Sequence, residues 1–160
     1  MTKSYEPVRK QIVVEASQEK AFKVFTEEFD SWWPREHKIG KAPLKRAVFE
    51  AKLHGRWFEI DEDGSECSWG TVLQWDPYQR FVMAWQINGQ WQFDPSLITE
   101  VEVTFTAEGP NRTRVSLEHR NIDRFGDSAE QIKTAFESEM GWQGLLERFA
   151  KVVKAIPVPR

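Results

Sequence analysis

The chain has 160 residues, of which 40% are hydrophobic and 29% charged, with a net charge of −3 and eight Trp. That length and composition suit one domain burying its own core, and they exclude intrinsic disorder. No Lys/Arg run exceeds two residues, which excludes the basic stripe that nucleic-acid binding needs.

The single cysteine, Cys67, excludes an intrachain disulfide and a multi-Cys zinc site and points to a reducing compartment. Met1 to Lys10 lacks the apolar segment of a signal peptide, and nowhere do about 18 apolar residues run together. The expectation is a cytoplasmic protein with no membrane span, one domain over residues 1–160 and a core at about residues 8–155.

In chain order, Val8 to Glu15 is β-rich and predicts a first strand. Ser17 stands where a helix N-cap belongs, although Lys20 leaves the capping box incomplete. Ala21, Phe22, Phe25 and Phe29 recur at helical spacing, predicting a short helix to about Phe29. Asp30-Ser31-Trp32-Trp33 predicts a second short helix or bent turn, stopped by Pro34, and Arg35 to Leu44 is a loop.

Strand-like segments then follow one another. They are Ala47 to Lys52, Arg56 to Ile60, Cys67 to Trp75, Arg80 to Ile87, Thr99 to Thr106 and Thr113 to Arg120. Asp61-Glu62-Asp63-Gly64, Asp76-Pro77, Asn88-Gly89 and Glu108-Gly109-Pro110-Asn111 supply turns between them, which makes consecutive strands antiparallel. The three turn acids read as solvated.

From Ser128 to about Ala155 no proline occurs. Ile132, Ala135, Phe136, Met140, Trp142, Leu146, Phe149 and Val153 form an apolar stripe. One long helix is predicted, interrupted by Gly141 and Gly144 and ended by Pro157 and Pro159. The fold class is α+β: a curved antiparallel sheet of six to seven strands around a long C-terminal helix, with two short helices after the first strand.

Alternation assigns the faces. Phe81, Met83 and Trp85 share one. So do Trp69, Thr71, Leu73 and Trp75, as do Val101, Val103 and Phe105. His119 continues the apolar face of Val115 and Leu117. One helix cannot cover such a sheet, and the remainder is either filled by loops and short helices or left as a cavity.

Several stretches taken together carry a resemblance. They are Val14-Glu15-Ala16-Ser17, Ala21-Phe22, Phe25-Thr26, Trp32-Trp33-Pro34 with His37, Gly55-Arg56, and Gly64 before Trp69-Gly70-Thr71-Val72. Asp76-Pro77, Trp85, Glu100 to Phe105, Leu117-Glu118-His119 and Gly141-Trp142 complete the set. In their order and spacing the chain resembles the START/birch-pollen-allergen (SRPBCC) superfamily, the helix-grip fold. The nearest branch is that of the activators of the heat-shock-protein ATPase. His54 stands where that family usually has the first Gly of a Gly-Gly-Arg triplet.

The resemblance implies an apolar cavity between sheet and C-terminal helix, in a superfamily of lipid carriers, hormone receptors, polyketide cyclases and co-chaperone domains. The expected lining is Trp32, Trp33, His37, Trp57, Trp69, Met83, Trp85, Phe105, His119, Trp142 and Leu146. Trp32-Trp33 either gates the cavity mouth or caps the sheet as core. His119 is a general base, a ligand contact or a satisfied structural histidine.

His37, His54 and His119 are too scattered for a metal motif, and no cofactor is expected. The leading expectation is binding of an apolar or aromatic small molecule. One alternative is a co-chaperone-like module of the stress response, with a chaperone or a second copy of the chain as partner. The other is a cyclase or hydrolase using His119 with a cavity acid such as Glu59.

Overall fold

The computed structural model describes residues 5–155, so Pro157 and Pro159 lie outside the described residues. Seven antiparallel strands form one sheet: β1 (Val8–Val14), β2 (Leu44–Phe49), β3 (Arg56–Asp61), β4 (Glu66–Asp76), β5 (Arg80–Trp85), β6 (Thr99–Gly109) and β7 (Arg112–Arg120). Their order across the sheet is β1-β7-β6-β5-β4-β3-β2. The short turns make β2 to β7 a meander, and β1 closes onto β7 with Val8 opposite His119 and Val14 opposite Thr113. This is the curled sheet of an α+β helix-grip fold.

Helix α1 (Gln18–Glu27) starts as its sequence dictates, the Ser17 hydroxyl accepting from the Lys20 amide. It buries Ala21, Phe22, Val24 and Phe25. Helix α2 (Phe29–Trp32) is a single turn, and Trp33 leaves it in extended conformation, as a residue before proline must. After β7 come a 3-10 segment (Ile122–Ser128), α3 (Ala129–Glu137) and α4 (Trp142–Ala155).

The C-terminal helix is thus present, but its predicted length is corrected: the stretch from Ser128 is two helices with a break at 138–141. Gly141 explains the break. A Cβ there would lie 2.3 Å from the Phe136 carbonyl oxygen and 2.5 Å from that of Ala135, so only glycine lets the chain fold back this tightly. Met140, placed in the apolar stripe by spacing, is instead 68% exposed at the break.

A second correction concerns β4. Against β3, Trp69 is an extra residue between the pairs Trp57–Gly70 and Phe58–Ser68. Against β5, Leu73 is extra between Val72–Met83 and Gln74–Val82. Two bulges therefore shift the alternation. Trp69 and Val72 are buried and Trp75 packs on the core, while Thr71 and Leu73 are only half-buried.

The core is one contiguous cluster. At its centre the Phe25 ring lies 4.8 Å from Trp32, 5.0 Å from Phe149, 5.6 Å from Phe81 and 5.7 Å from Phe105. Such tilted and edge-on pairs add to the area they bury. Arg148 of α4 donates to the Trp32 carbonyl at 2.9 Å and fixes α4 to α2.

Candidate functional site

Beyond this packed half, the concave face opens into a cleft of about 530 Å³. Trp33, Glu36, His37 and Lys38 line it from the loop after α2, Trp69 and Trp85 from the sheet, and Trp91 from the β5–β6 connection. Phe136, Met140, Gly141, Trp142 and Leu145 line it from α3, the break and α4. Two other surface depressions, of about 610 and 600 Å³, are lined mainly by charged and polar side chains.

Four of the five wall indoles have their N–H groups tied back into the protein. Trp33 donates to the His37 carbonyl at 2.8 Å, Trp69 to Glu59 at 3.0 Å, Trp85 to the Ile87 carbonyl at 3.0 Å and Trp142 to His119 at 3.1 Å. At most 6% exposed, they border the cleft with narrow strips of ring surface and offer it no donors. Trp33 and Trp69 lie 5.4 Å apart between centroids, and Trp85 and Trp142 5.7 Å.

Trp91 differs from the rest, being 47% exposed with a φ of 59°. The Asn88 carboxamide oxygen accepts the amides of Gln90 and Gln92, and the Asn88 carbonyl accepts that of Trp91. This turn imposes a left-handed conformation that a bulky residue adopts only under constraint.

The wall's polar handle is His37. Its Nε2 lies 3.0 Å from the Met140 carbonyl oxygen, which can only accept, so that nitrogen carries the hydrogen. In the neutral ring Nδ1 is left as an acceptor, and it is buried without a protein partner.

His119 is fully buried behind this wall. Its Nδ1 accepts from Trp142, and its Nε2 donates at 2.9 Å to the Thr99 hydroxyl, which donates onward to the Trp85 carbonyl. The ring stacks on Phe136 at 4.4 Å. Burial pushes its pKa down to about 3, so it is neutral at physiological pH. Every polar atom of this imidazole is satisfied internally.

Behind Trp69 lies a pair of buried acids. Glu59 accepts from the amides of Ile39 (2.6 Å) and Gly40 (3.1 Å) and from the Trp69 indole. Asp61, expected to be solvated in its turn, is fully buried, and neither of its oxygens has a donor. The turn begins one residue later than its Asp-Gly chemistry suggests, because Asp61 is still paired in β3 opposite Leu44.

Ligating atoms of Glu59, Asp61 and Cys67 come within 4.8 Å of one another. Burial and the neighbouring carboxylates hold the Cys67 thiol protonated, and Glu59 is already occupied by three N–H groups, so the set is poorly suited to a metal ion.

The chain matches, over residues 15–154, the family described as "Activator of Hsp90 ATPase homolog 1-like protein". This chain belongs to that family. Among solved structures, the anthrahydroquinone-γ-pyrone synthase Txn09 is 41% identical, with a TM-score of 0.66 and coverage of 92% of this chain and 97% of that one. CalC, a self-sacrificing resistance protein from Micromonospora echinospora, is 36% identical, with a TM-score of 0.69 and coverage of 94% and 95%. The dynemicin-locus protein DynU16 shares the fold at 18% identity and a TM-score of 0.59, over 94% of this chain and 48% of its own. No curated protein matches the chain.

The chain shares the helix-grip fold of this family with polyketide cyclase-like proteins. Among the described residues no helix is long and apolar enough to cross a membrane. Of the residues expected at its cavity, Trp33, His37, Trp69, Trp85 and Trp142 come together at the cleft. Trp32, Trp57, Met83, Phe105, His119 and Leu146 do not line it and belong to the core or the layer behind the wall. Phe105 and Trp32 fill the packed half, and Leu146 is fully buried in the core while Leu145 lines the cleft. Sequence reasoning passed over Trp91, Phe136, Met140 and Leu145 as cleft residues. Only the Asn88-Gly89 turn signal beside Trp91 could have drawn attention to it.

Proposed function

We propose that this protein binds a planar aromatic small molecule of polyketide type in the Trp-lined cleft. The observation carrying this reading is the wall itself. Trp33, Trp69, Trp85 and Trp142 spend their N–H groups inside the protein and border about 530 Å³ of space with apolar ring surface alone, a volume in the range of small-molecule sites. Trp91, 47% exposed, supplies a further face.

Two solved relatives above 30% identity are a γ-pyrone synthase and a resistance protein, which favours small-molecule chemistry over a chaperone partner. The cyclase-type alternative rests on the His37 imidazole. A ring oriented by a carbonyl at Nε2, with Nδ1 unpaired but buried, becomes a general base for a phenol or an acidic C–H once a movement of its loop uncovers Nδ1. His119, with both nitrogens engaged, has no such freedom.

The test compares two probes, hydroxymethylanthraquinone and oleate, by quenching of Trp emission and by isothermal titration. Saturable binding of the planar probe, much weaker in Trp33→Ala, is expected. Binding of oleate alone, or of neither, would rule the reading out. Turnover of a polyketide substrate that Trp33→Ala weakens through KM and His37→Gln through kcat would establish the cyclase-type role.

A further inference from the structure

The binding reading makes no use of the fully buried Glu59–Asp61 pair, although it touches the cleft wall from behind. Glu59 grips the wall at three points: the amides of Ile39 and Gly40 and the indole N–H of Trp69. The loop so held continues from Glu36, His37 and Lys38, which line the cleft, as does Trp69. The grip is close, since a Cβ on Gly40 would stand 1.8 Å from Asp61 Oδ2 and 2.8 Å from Glu59 Oε2.

The two carboxyls are not equivalent. Glu59 collects three N–H donors, and Asp61 collects none at either oxygen. A buried carboxylate without a donor is costly, and two facing carboxylates cannot both ionise freely. The arrangement is resolved when Asp61 keeps its proton and donates it to Glu59.

We propose that Glu59 and Asp61 share one proton and act as a latch on the cleft wall, so that loss of that proton loosens the wall and weakens aromatic-ligand binding. The affinity part rests on the binding reading above, and the shared proton does not.

The surroundings fit. Burial, then the neighbouring Glu59 carboxylate, push Asp61 up to about 6. Burial would also raise Glu59, but its hydrogen bonds from Asp61, Ile39, Trp69 and Gly40 prevail and leave it below the usual carboxylate range. Three other titratable groups bear on the pair. The Lys38 ammonium, bonded to the Gly40 carbonyl, favours ionisation, and Asp63 in the turn opposes it. The Cys67 thiol, opposite Glu59 in β4, stays neutral. In β2 the residues paired opposite Asp61 and Glu59 are the uncharged Leu44 and Ala47. Asp61 thus holds its proton below about pH 6, and the latch opens as pH rises through that value.

The test follows the Ile39 and Gly40 amides and the Trp69 indole N–H of the full chain by NMR between about pH 4.5 and about pH 8. A common inflection near pH 6 is expected. It should vanish in Asp61→Asn, whose amide donates to Glu59 at every pH. Hydroxymethylanthraquinone, which does not titrate in this window, should bind the natural chain roughly tenfold more weakly at about pH 8 than at about pH 5, and bind Asp61→Asn equally at both.

Signals with no inflection, an inflection that persists in Asp61→Asn, or a probe affinity unchanged with pH overturns the latch. So does a cobalt(II)–thiolate absorption band that Cys67→Ser removes, because a cation would then occupy the proton's place. A probe that binds at neither pH defeats the binding reading and the affinity part together, while the inflection and its loss in Asp61→Asn still decide whether the proton is shared.

Discussion

His119→Phe probes the interior most sharply. The ring is fully buried, stacked on Phe136 at 4.4 Å and hydrogen-bonded at both nitrogens. Phenylalanine keeps the stack and the volume but leaves the Trp142 indole N–H without an acceptor. The Thr99 hydroxyl loses a donor and keeps its own bond to the Trp85 carbonyl. One orphaned buried donor costs about 1–3 kcal/mol at neutral pH.

The natural chain also carries a pH term that the variant lacks. The folded pKa of about 3 lies below the unfolded value near 6.5. Unfolded His119 therefore binds a proton that the folded state refuses. Its contribution is fully present above about pH 6.5 and falls as pH drops toward the folded pKa. Between about pH 7 and about pH 5 the loss is about 2 kcal/mol. Urea denaturation of both chains at the two pH values measures it. The stability gap at neutral pH should shrink by about that amount at about pH 5, and Asp61, present in both chains, cancels from the comparison. A gap that does not change with pH, or a variant as stable as the natural chain, would refute the internal hydrogen-bond chain.

Three further outcomes are expected. Leu146→Ala should lower stability by about 2–5 kcal/mol in urea melts, because Leu146 is fully buried; an effect no larger than that of a surface control would place α4 the wrong way round. Gly141→Ala forces a Cβ against two backbone carbonyls and should cost about 1–3 kcal/mol, with loss of helical circular dichroism if the break is refused. Trp91→Gly relieves a left-handed residue and should leave stability equal or higher, yet weaken hydroxymethylanthraquinone binding by about tenfold; unchanged binding would remove Trp91 from the site.

What the sequence determined by itself is the chain's local order. The alternation of Val101, Val103 and Phe105, the Asp-Gly and Asn-Gly turns and the Ser17 cap are each decided within a few residues. They therefore read correctly as strand, turn and helix start. The fold class followed, because one strand, two short helices, six successive strands and an amphipathic segment have few ways to bury one face.

Wherever the answer depended on contacts between distant segments, the tertiary structure decided. Val72, not Thr71 or Leu73, joins Trp69 and Trp75 on the inner face because of bulges imposed by pairing with β3 and β5. Trp32 and Trp33 are neighbours in sequence, yet one fills the core and the other lines the cleft, because the proline after Trp33 turns the chain there. Asp61 reads as a solvated turn acid until the loop carrying Gly40 is laid over it. His119 and Trp142, 23 residues apart, become partners only when α4 crosses the sheet. Local chemistry specifies which groups can pair; only the folded chain specifies which groups meet.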